Sequence, residues 1–194
     1  MKTARLAIFA SGSGSNAENI HKYFHGNQAV EFVLIVSNKA DAFVHERAKK
    51  MGVPSLTLGR EALQETGTLL ELMKSYKVDF IVLAGYLLKV PSDLIEAYPF
   101  RIVNIHPALL PRHGGKGMYG HRVHEAVLAD GDAESGISIH YVNERYDEGQ
   151  IVFQATCPVL PGDTADDVAD RVHALEYAHF PSAIEGCLIK EGLL

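Results

Sequence analysis

The sequence predicts an α/β fold with a Rossmann-like, mostly parallel central sheet flanked by helices. Along much of the chain, short apolar runs typical of buried strands alternate with helical segments, and this order favours parallel strands joined by helical crossovers. Nearer the C-terminus, strand-like segments at residues 135–142 and 150–157 are separated only by the polar loop 143–149. These two segments predict an antiparallel hairpin at one edge of the sheet.

The elements before the hairpin are predicted to alternate between strands and helices. Apolar runs bounded by glycine, proline or polar residues predict strands at residues 5–10, 30–37, 55–58, 80–84 and within 100–106. The intervening segments predict helices at residues 17–24, 43–51, 68–76, 91–98 and 121–130. After the hairpin, Asp163 or Thr164 is expected to cap a helix that ends at about residue 177, with a second helical piece at 182–190 following Pro181.

The composition is that of an ordinary globular protein. Of its 194 residues, 47% are hydrophobic and 22% are charged, so we expect a single domain over residues 1–194. The net charge of -6 argues against nucleic-acid binding, which favours a basic face. Cys157 and Cys187 form no Cys-x-x-Cys pattern and predict neither a zinc site nor a disulfide framework. Without a signal peptide or an apolar run near about 18 residues, the chain is predicted to be cytoplasmic and not membrane-bound.

The strand predicted near residue 102 ends in residues capable of chemistry. Residues 102–112 read IVNIHPALLPR, and the apolar run breaks where Pro107 follows His106, because proline cannot donate to a sheet ladder. Asn104 and His106 lie two positions apart, so their side chains should share one face at the carboxyl end of the strand. Open α/β sheets bind ligands at that end. The alternative is a strand that ends in an ordinary structural histidine.

A loop rich in glycine and serine at residues 11–16, the Gly/Ser loop, connects the first strand to the first helix. Strand, Gly/Ser loop and helix together are typical of a phosphate site, because glycines let the backbone approach the anion and the helix N-terminus presents free N–H groups. Ser15 and Asn16 would equally suit a simple capped turn. A dinucleotide site is disfavoured, because the second strand ends in Ser37-Asn38-Lys39 and lacks the acid that would hold a ribose.

A second loop, the glycine-rich loop at residues 112–120, holds four glycines in nine residues and is expected to be mobile. His121 and His124 follow it at a spacing that could share a helix face. They lack the His-Glu-x-x-His pattern, and two histidines alone make a poor metal site. No metal site is therefore predicted.

The chain resembles the folate-dependent formyltransferases. The resemblance lies in residues 104–111, which read NIHPALLP, followed about 40 residues later by Asp147-x-Gly149. The Gly/Ser loop, residues 37–42 (SNKADA) and residues 83–86 (LAGY) are similar to the members that act in purine synthesis. The resemblance covers essentially the whole chain.

The resemblance implies transfer of the formyl group of 10-formyltetrahydrofolate to the amine of glycinamide ribonucleotide. It implies that Asn104, His106 and Asp147 form a catalytic trio, that Gly14, Ser15 and Asn16 hold the substrate phosphate, and that Glu176 holds the ribose hydroxyls. It implies a folate site formed by Leu87, Leu88, Val90, Asn104, Asn143, Glu144 and Asp147. The N-terminal half would thus face the phosphate and the C-terminal half the folate. The family often has Met-Arg where this chain has Leu87-Leu88, so an arginine contact to folate is missing there.

The residue types suit this chemistry. Attack of an amine on a formyl carbonyl builds an oxyanion, which an asparagine amide and an imidazolium can stabilise. Proton transfer to and from the two nitrogens requires acid–base groups with pKa values near neutrality. A carboxylate at Asp147 paired with His106 is expected to raise the pKa of the imidazole. No metal, catalytic serine or catalytic cysteine is required.

Two alternatives remain open at the level of sequence. Another formyl-folate enzyme, such as a hydrolase or a transferase with a different amine acceptor, would use the same trio. A nucleotide-binding module without transfer activity would use the Gly/Ser loop alone. The expected partners are small-molecule substrates, with no nucleic acid and no membrane, and the chain could be a monomer or a homodimer.

Overall fold

A computed structural model describes residues 3–61 and 66–194 of the chain. Within them, seven strands form one sheet in the order β3-β2-β1-β4-β5-β6-β7. The strands are β1 (Ala4–Phe9), β2 (Val30–Ser37), β3 (Ser55–Thr57), β4 (Phe80–Leu83), β5 (Ile102–His106), β6 (Glu134–Tyr141) and β7 (Ile151–Pro158). Neighbouring strands from β3 through β5 are parallel, whereas β6 pairs antiparallel with both β5 and β7. The predicted fold class, including the antiparallel hairpin at one edge, is confirmed.

Helices flank this sheet on both faces. The described helices are α1 (Ser15–Tyr23), α2 (Val44–Met51), α3 (Thr68–Ser75), α4 (Ser92–Ala97), α5 (His121–Ala129) and α6 (Ala165–Lys190). Among the described residues, no helix combines the length and the apolar character that a membrane crossing requires.

Side chains of the central strands alternate between two hydrophobic cores. In β1, Leu6 and Ile8 pack with residues of α1, α2 and α6 on one face, whereas Ala7 and Phe9 pack with residues of α3 and α4 on the other. All four side chains are at most 1% exposed. Burial on both faces explains why these strands read as continuous apolar runs in the sequence.

Helix α1 begins earlier than predicted, and Gly14 is its cap. The helix starts at Ser15, so Ser15 and Asn16 lie in its first turn and neither acts as the cap. Gly14 has φ 73, and a Cβ atom at this position would lie 2.4 Å from Cγ2 of Val44 at the start of α2. Glycine is needed here both for the left-handed backbone conformation and for the close approach of the two helices.

The predicted break near Pro181 is wrong, because α6 continues through it as one helix of 26 residues. Proline has no N–H, so the carbonyl of Tyr177 loses its donor within the helix. The Nδ2 amide of Asn19 in α1 donates to that carbonyl at 2.9 Å. Phe180 and Ile184 on either side of the proline are fully buried in the core. A side-chain hydrogen bond and packing against the sheet thus keep the helix intact.

At the start of α6, the predicted cap at Thr164 is confirmed. Thr164 Oγ1 accepts from the backbone N–H of Asp167 at 3.3 Å, and Asp167 Oδ2 accepts from the backbone N–H of Thr164 at 2.8 Å. This reciprocal arrangement satisfies two N–H groups of the first turn.

Candidate active site

The carboxyl end of β5 carries the two polar residues singled out from the sequence. In the antiparallel register, Asn104 lies opposite His140 of β6, and His106 lies opposite Ser138. His106 is 3% exposed, and Asn104 is partly buried. The Nδ2 atom of Asn104 lies 3.1 Å from Nε2 of His140. This contact fixes the plane of the Asn104 amide and leaves its second N–H available.

Asp147 reaches both histidines from the polar loop 143–149. Its Oδ2 atom lies 3.6 Å from Nδ1 of His106, and its Oδ1 atom lies 3.6 Å from Nε2 of His140. These separations exceed a direct hydrogen bond, and they are ion-pair contacts only when the facing imidazole is protonated. The backbone N–H of Gly115 donates to Oδ2 at 2.9 Å, and the Asp147 side chain is 12% exposed. The structure thus brings His106 and Asp147 together, although they are 41 positions apart in the sequence.

The Asp-x-Gly pattern has a steric explanation. Asp147 adopts a left-handed conformation with φ 56, which aspartate tolerates better than most residues. A Cβ atom at Gly149 would lie 1.6 Å from the carbonyl oxygen of Tyr141 and 3.3 Å from Nδ1 of His140. Only glycine lets the loop return this closely along β6, and this return places the Asp147 carboxylate beside the histidines.

The proton arrangement at His106 follows from its neighbours. Nε2 lies 2.8 Å from the carbonyl oxygen of His113, and because a carbonyl can only accept, Nε2 carries a proton and donates it. Nδ1 therefore faces Asp147. Burial, together with the nearby His140 and His113 side chains, lowers the pKa of His106 by more than the charge of Asp147 and the hydrogen bond to the His113 carbonyl raise it. The expected upward contribution of Asp147 is present, but it is smaller than the effect of burial, so the imidazole is mainly neutral near pH 7.

Asp147 is the ionised member of the pair. Burial alone would raise the pKa of its carboxyl group, but the nearby His140 imidazole, the charge of His106 and the Gly115 N–H together lower it below its ordinary value. A carboxylate next to a mainly neutral imidazole can accept a proton from a substrate.

His140 has a role that sequence reasoning missed. Its position on β6 was predicted, but its function was not, because that depends on the register between β5 and β6. Its Nδ1 lies 3.0 Å from the carbonyl oxygen of Tyr141, which requires Nδ1 to carry the proton. Its Nε2 then accepts from the Asn104 amide. Pairing residues 104 and 140 as neighbours in an antiparallel ladder would have revealed the contact.

A cleft opens above these residues, between the segment that follows β4 and the polar loop. Of the residues that the resemblance assigns to folate, Leu88, Val90, Asn104, Asn143 and Asp147 line this cleft. Leu87 and Glu144 do not line it; the backbone N–H of Leu87 instead donates to Ser11 Oγ at 2.9 Å. Further lining residues are Leu83, Tyr86, Lys89, His140, Val142, Arg145 and Tyr146. The cleft thus offers an apolar wall, the cationic side chains of Lys89 and Arg145, and the polar groups of the site. These features suit a planar heterocycle with a polar edge.

The Gly/Ser loop adjoins the rim of this cleft. The backbone N–H of Ser11 donates to the carbonyl of Gly85 at 3.0 Å, next to the Leu87 contact. The first intrahelical bond of α1 runs from Glu18 to Gly14, so the N–H groups of residues 15–17 have no acceptor within the helix. The loop therefore presents free N–H groups at a helix N-terminus close to the cleft, an arrangement suited to an anion.

Glu176 lies against this helix N-terminus. Asn16 Nδ2 donates to Glu176 Oε2 at 2.8 Å, and Glu176 is 6% exposed. Burial raises the pKa of Glu176, opposed by the Asn16 hydrogen bond. The Oδ1 atom of Asn16 is buried without a hydrogen-bond partner. A ligand with hydroxyl donors would satisfy this amide oxygen.

The predicted mobility of the glycine-rich loop and the predicted absence of a metal site both stay predictions. The glycine-rich loop contains no helix or strand. Among residues 3–61 and 66–194, no three His, Cys, Asp or Glu side chains are grouped so that they could hold a metal ion. His124 is buried and its pKa is lowered to about 4 by burial, whereas His121 is exposed and contacts Glu125 and Asp166.

The fold and the site together define the class of protein. A family model described as formyl transferase matches residues 4–184. The chain is 44% identical over 174 residues to the chloroplastic phosphoribosylglycinamide formyltransferase of Arabidopsis thaliana, covering 87% of this chain and 60% of that protein. It is 36% identical over 186 residues to the phosphoribosylglycinamide formyltransferase of Escherichia coli, covering 92% and 84% of the two chains.

Solved structures agree with these sequence relatives. The glycinamide ribonucleotide transformylase 1 of Symbiobacterium toebii superposes with a TM-score of 0.86 at 35% identity, covering 98% of this chain and 89% of that one. The chain belongs to the formyltransferase family, as its motifs predicted. It spans about 60% of the length of the plant relatives that it matches.

Proposed function

We propose that this protein transfers the formyl group of 10-formyltetrahydrofolate to the amine of glycinamide ribonucleotide, the acceptor for which its relatives are named. The observation that carries the proposal is the meeting of Asn104, His106 and Asp147 beside a cleft that Asn104 and Asp147 line, next to a helix N-terminus suited to phosphate. A nucleotide-binding module without transfer activity would have no need for the trio of Asn104, His106 and Asp147.

The trio divides the work of formyl transfer. The free N–H of Asn104 donates to the formyl oxygen as it becomes an oxyanion, and His140 holds the amide in place for this. Asp147, ionised in the free protein, accepts the proton of the attacking amine, directly or through water. This proton passes to Nδ1 of His106, which Asp147 faces, and the resulting imidazolium stabilises the oxyanion. The proton then goes to the leaving nitrogen of tetrahydrofolate as the bond between that nitrogen and the formyl carbon breaks.

The two substrates occupy adjacent regions. The phosphate of glycinamide ribonucleotide binds the N–H groups of Ser15 and Asn16 beyond Gly14, and the ribose hydroxyls bind Glu176. The folate ring occupies the cleft, against Leu88 and Val90. When bound, 10-formyltetrahydrofolate supplies the formyl group. The amine is itself the nucleophile, so no covalent enzyme intermediate is required.

A formyl-transfer assay tests this function directly. Purified protein with 10-formyltetrahydrofolate and glycinamide ribonucleotide should yield the formylated nucleotide and tetrahydrofolate. Free formate in place of product would identify a hydrolase, and product with another amine only would identify a different acceptor. Nucleotide binding without turnover would support the binding module. Each of these three results contradicts the proposal.

Replacing Ser15 with aspartate should weaken phosphate recognition strongly without harming the fold. A carboxylate in the first turn of α1 places like charges at close range, which should cost about 3 kcal/mol, or a roughly 100-fold rise in KM for glycinamide ribonucleotide. An acid at a helix N-terminus stabilises the helix itself, so the melting temperature should not fall. The neutral variant Ser15→Asn is the matched control. Equal losses of acceptor and folate affinity would point to a folding defect, whereas an unchanged KM for glycinamide ribonucleotide would show that the phosphate does not bind here.

A further inference from the structure

The acceptor for the His106 proton is a main-chain carbonyl in the glycine-rich loop. His113 O lies 2.8 Å from His106 Nε2. This hydrogen bond can orient the His106 imidazole only if the loop backbone is itself held in place, because the carbonyl of an unrestrained loop would move with the loop. The side chain of His113 and its neighbours supply this restraint.

The backbone at His113 has φ 53, which is sterically disfavoured for a residue with a Cβ atom. The His113 side chain is 7% exposed, and its Nε2 lies 2.7 Å from Oδ2 of Asp132, whose side chain is 8% exposed. The Arg112 guanidinium also contacts Asp132. The hydrogen bond from His113, together with Arg112, holds the pKa of Asp132 below its usual range, so this carboxylate stays charged.

We propose that the His113–Asp132 pair is a positioning unit for His106: it fixes the carbonyl of His113 so that His106 keeps its proton on Nε2 and turns Nδ1 towards Asp147. The proposal follows from a continuous chain of contacts from Asp132 through His113 to His106. Neither His113 nor Asp132 lines the cleft, and it is the His113 carbonyl that contacts His106. The effect on turnover rests on the proposed function, but the effect on the ring does not.

Nuclear magnetic resonance of the histidine side chains in the free protein tests the positioning directly. In the wild type, the nitrogen shifts of His106, assigned by their loss in His106→Gln, should show the Nε2–H form. In Asp132→Ala, they should move towards a mixture of the two neutral tautomers, because the His113 carbonyl is no longer held. Asp132→Asn keeps an acceptor for His113 and should largely restore the wild-type shifts. Asp130→Ala removes a neighbouring carboxylate that is 63% exposed and 3.9 Å from His113 Nδ1, and should change nothing.

Formyl-transfer kinetics give the second measurement. Displacement of His106 by about 1 Å can reduce turnover about 100-fold, so kcat should fall 10- to 100-fold in Asp132→Ala with little change in either KM. Asp130→Ala should retain the wild-type kcat. A folded Asp132→Ala protein with wild-type His106 shifts would overturn the proposal, whatever its kcat.

A second variant covers the case in which Asp132→Ala does not fold. His113→Asn keeps a residue that tolerates positive φ but is too short to reach Asp132, and the same shifts decide its outcome. If the wild type transfers no formyl group while the shifts behave as described, the proposed function fails and the positioning unit stands.

Discussion

Replacing Asp147 with asparagine should lower kcat by about 100- to 1,000-fold or more, with little change in the KM of either substrate. The asparagine oxygen can still accept from the Gly115 N–H, so the polar loop should keep its shape. What disappears is the charge 3.6 Å from His106 that accepts the proton of the amine and favours the imidazolium. Glu148→Gln, which neutralises the adjacent and exposed carboxylate, is the matched control and should leave kcat unchanged.

His106 and Asp147 should behave as one unit. His106→Ala and the double variant with Asp147→Asn should be about equally slow, because either change alone removes the shared proton arrangement. The pKa of His106 is already below its ordinary value because of burial, and it should fall further in Asp147→Asn, since the one charge that raises it is gone. Titration of the His106 resonances measures this directly. Losses of kcat that multiply, or a His106 pKa that does not change, would show that the two residues are not coupled.

Much of the fold could be predicted because burial leaves a direct mark on local sequence. Strand β2 spans the predicted residues 30–37, since its apolar run is bounded by polar positions. Helix α6 could not be predicted in the same way. Whether Pro181 ends the helix depends on a hydrogen bond from Asn19, which is 158 positions from Tyr177 in the sequence. Local propensity gives no information about such a donor.

The candidate site was predictable to a similar extent. Strand periodicity alone placed Asn104 and His106 side by side. The approach of Asp147 came from family resemblance, because no local pattern shows where a loop folds back. His140 was missed because its role depends on strand register, and the lowered pKa of His106 was missed because it depends on burial in the finished fold. The residue types that suit formyl transfer could be recognised in the sequence, whereas the burial of His106 and the register between β5 and β6 could not.

Replacing Gly149 with alanine should damage the site as strongly as removing a catalytic group. The added Cβ would lie 1.6 Å from the backbone oxygen of Tyr141, so the backbone of the polar loop must move by an ångström or more. Because Asp147 lies two residues away, its carboxylate moves too. A displacement of about 1 Å can cost about 100-fold in rate, and forced overpacking destabilises a protein by about 1–3 kcal/mol.

Gly186→Ala is the control with the same chemical change. Gly186 lies inside α6, where an added Cβ would meet no atom within 4 Å, so alanine should stabilise the protein by about 0.5–1 kcal/mol without affecting kcat. Urea denaturation and kcat should be measured for both variants, with the His106 resonances as a probe of the Asp147 position. Because the Tyr141 carbonyl belongs to the β6 ladder, it cannot yield easily, and the polar loop must move instead. If Gly149→Ala kept the wild-type kcat and His106 shifts, the close approach of the loop to β6 would not be what holds Asp147 in place.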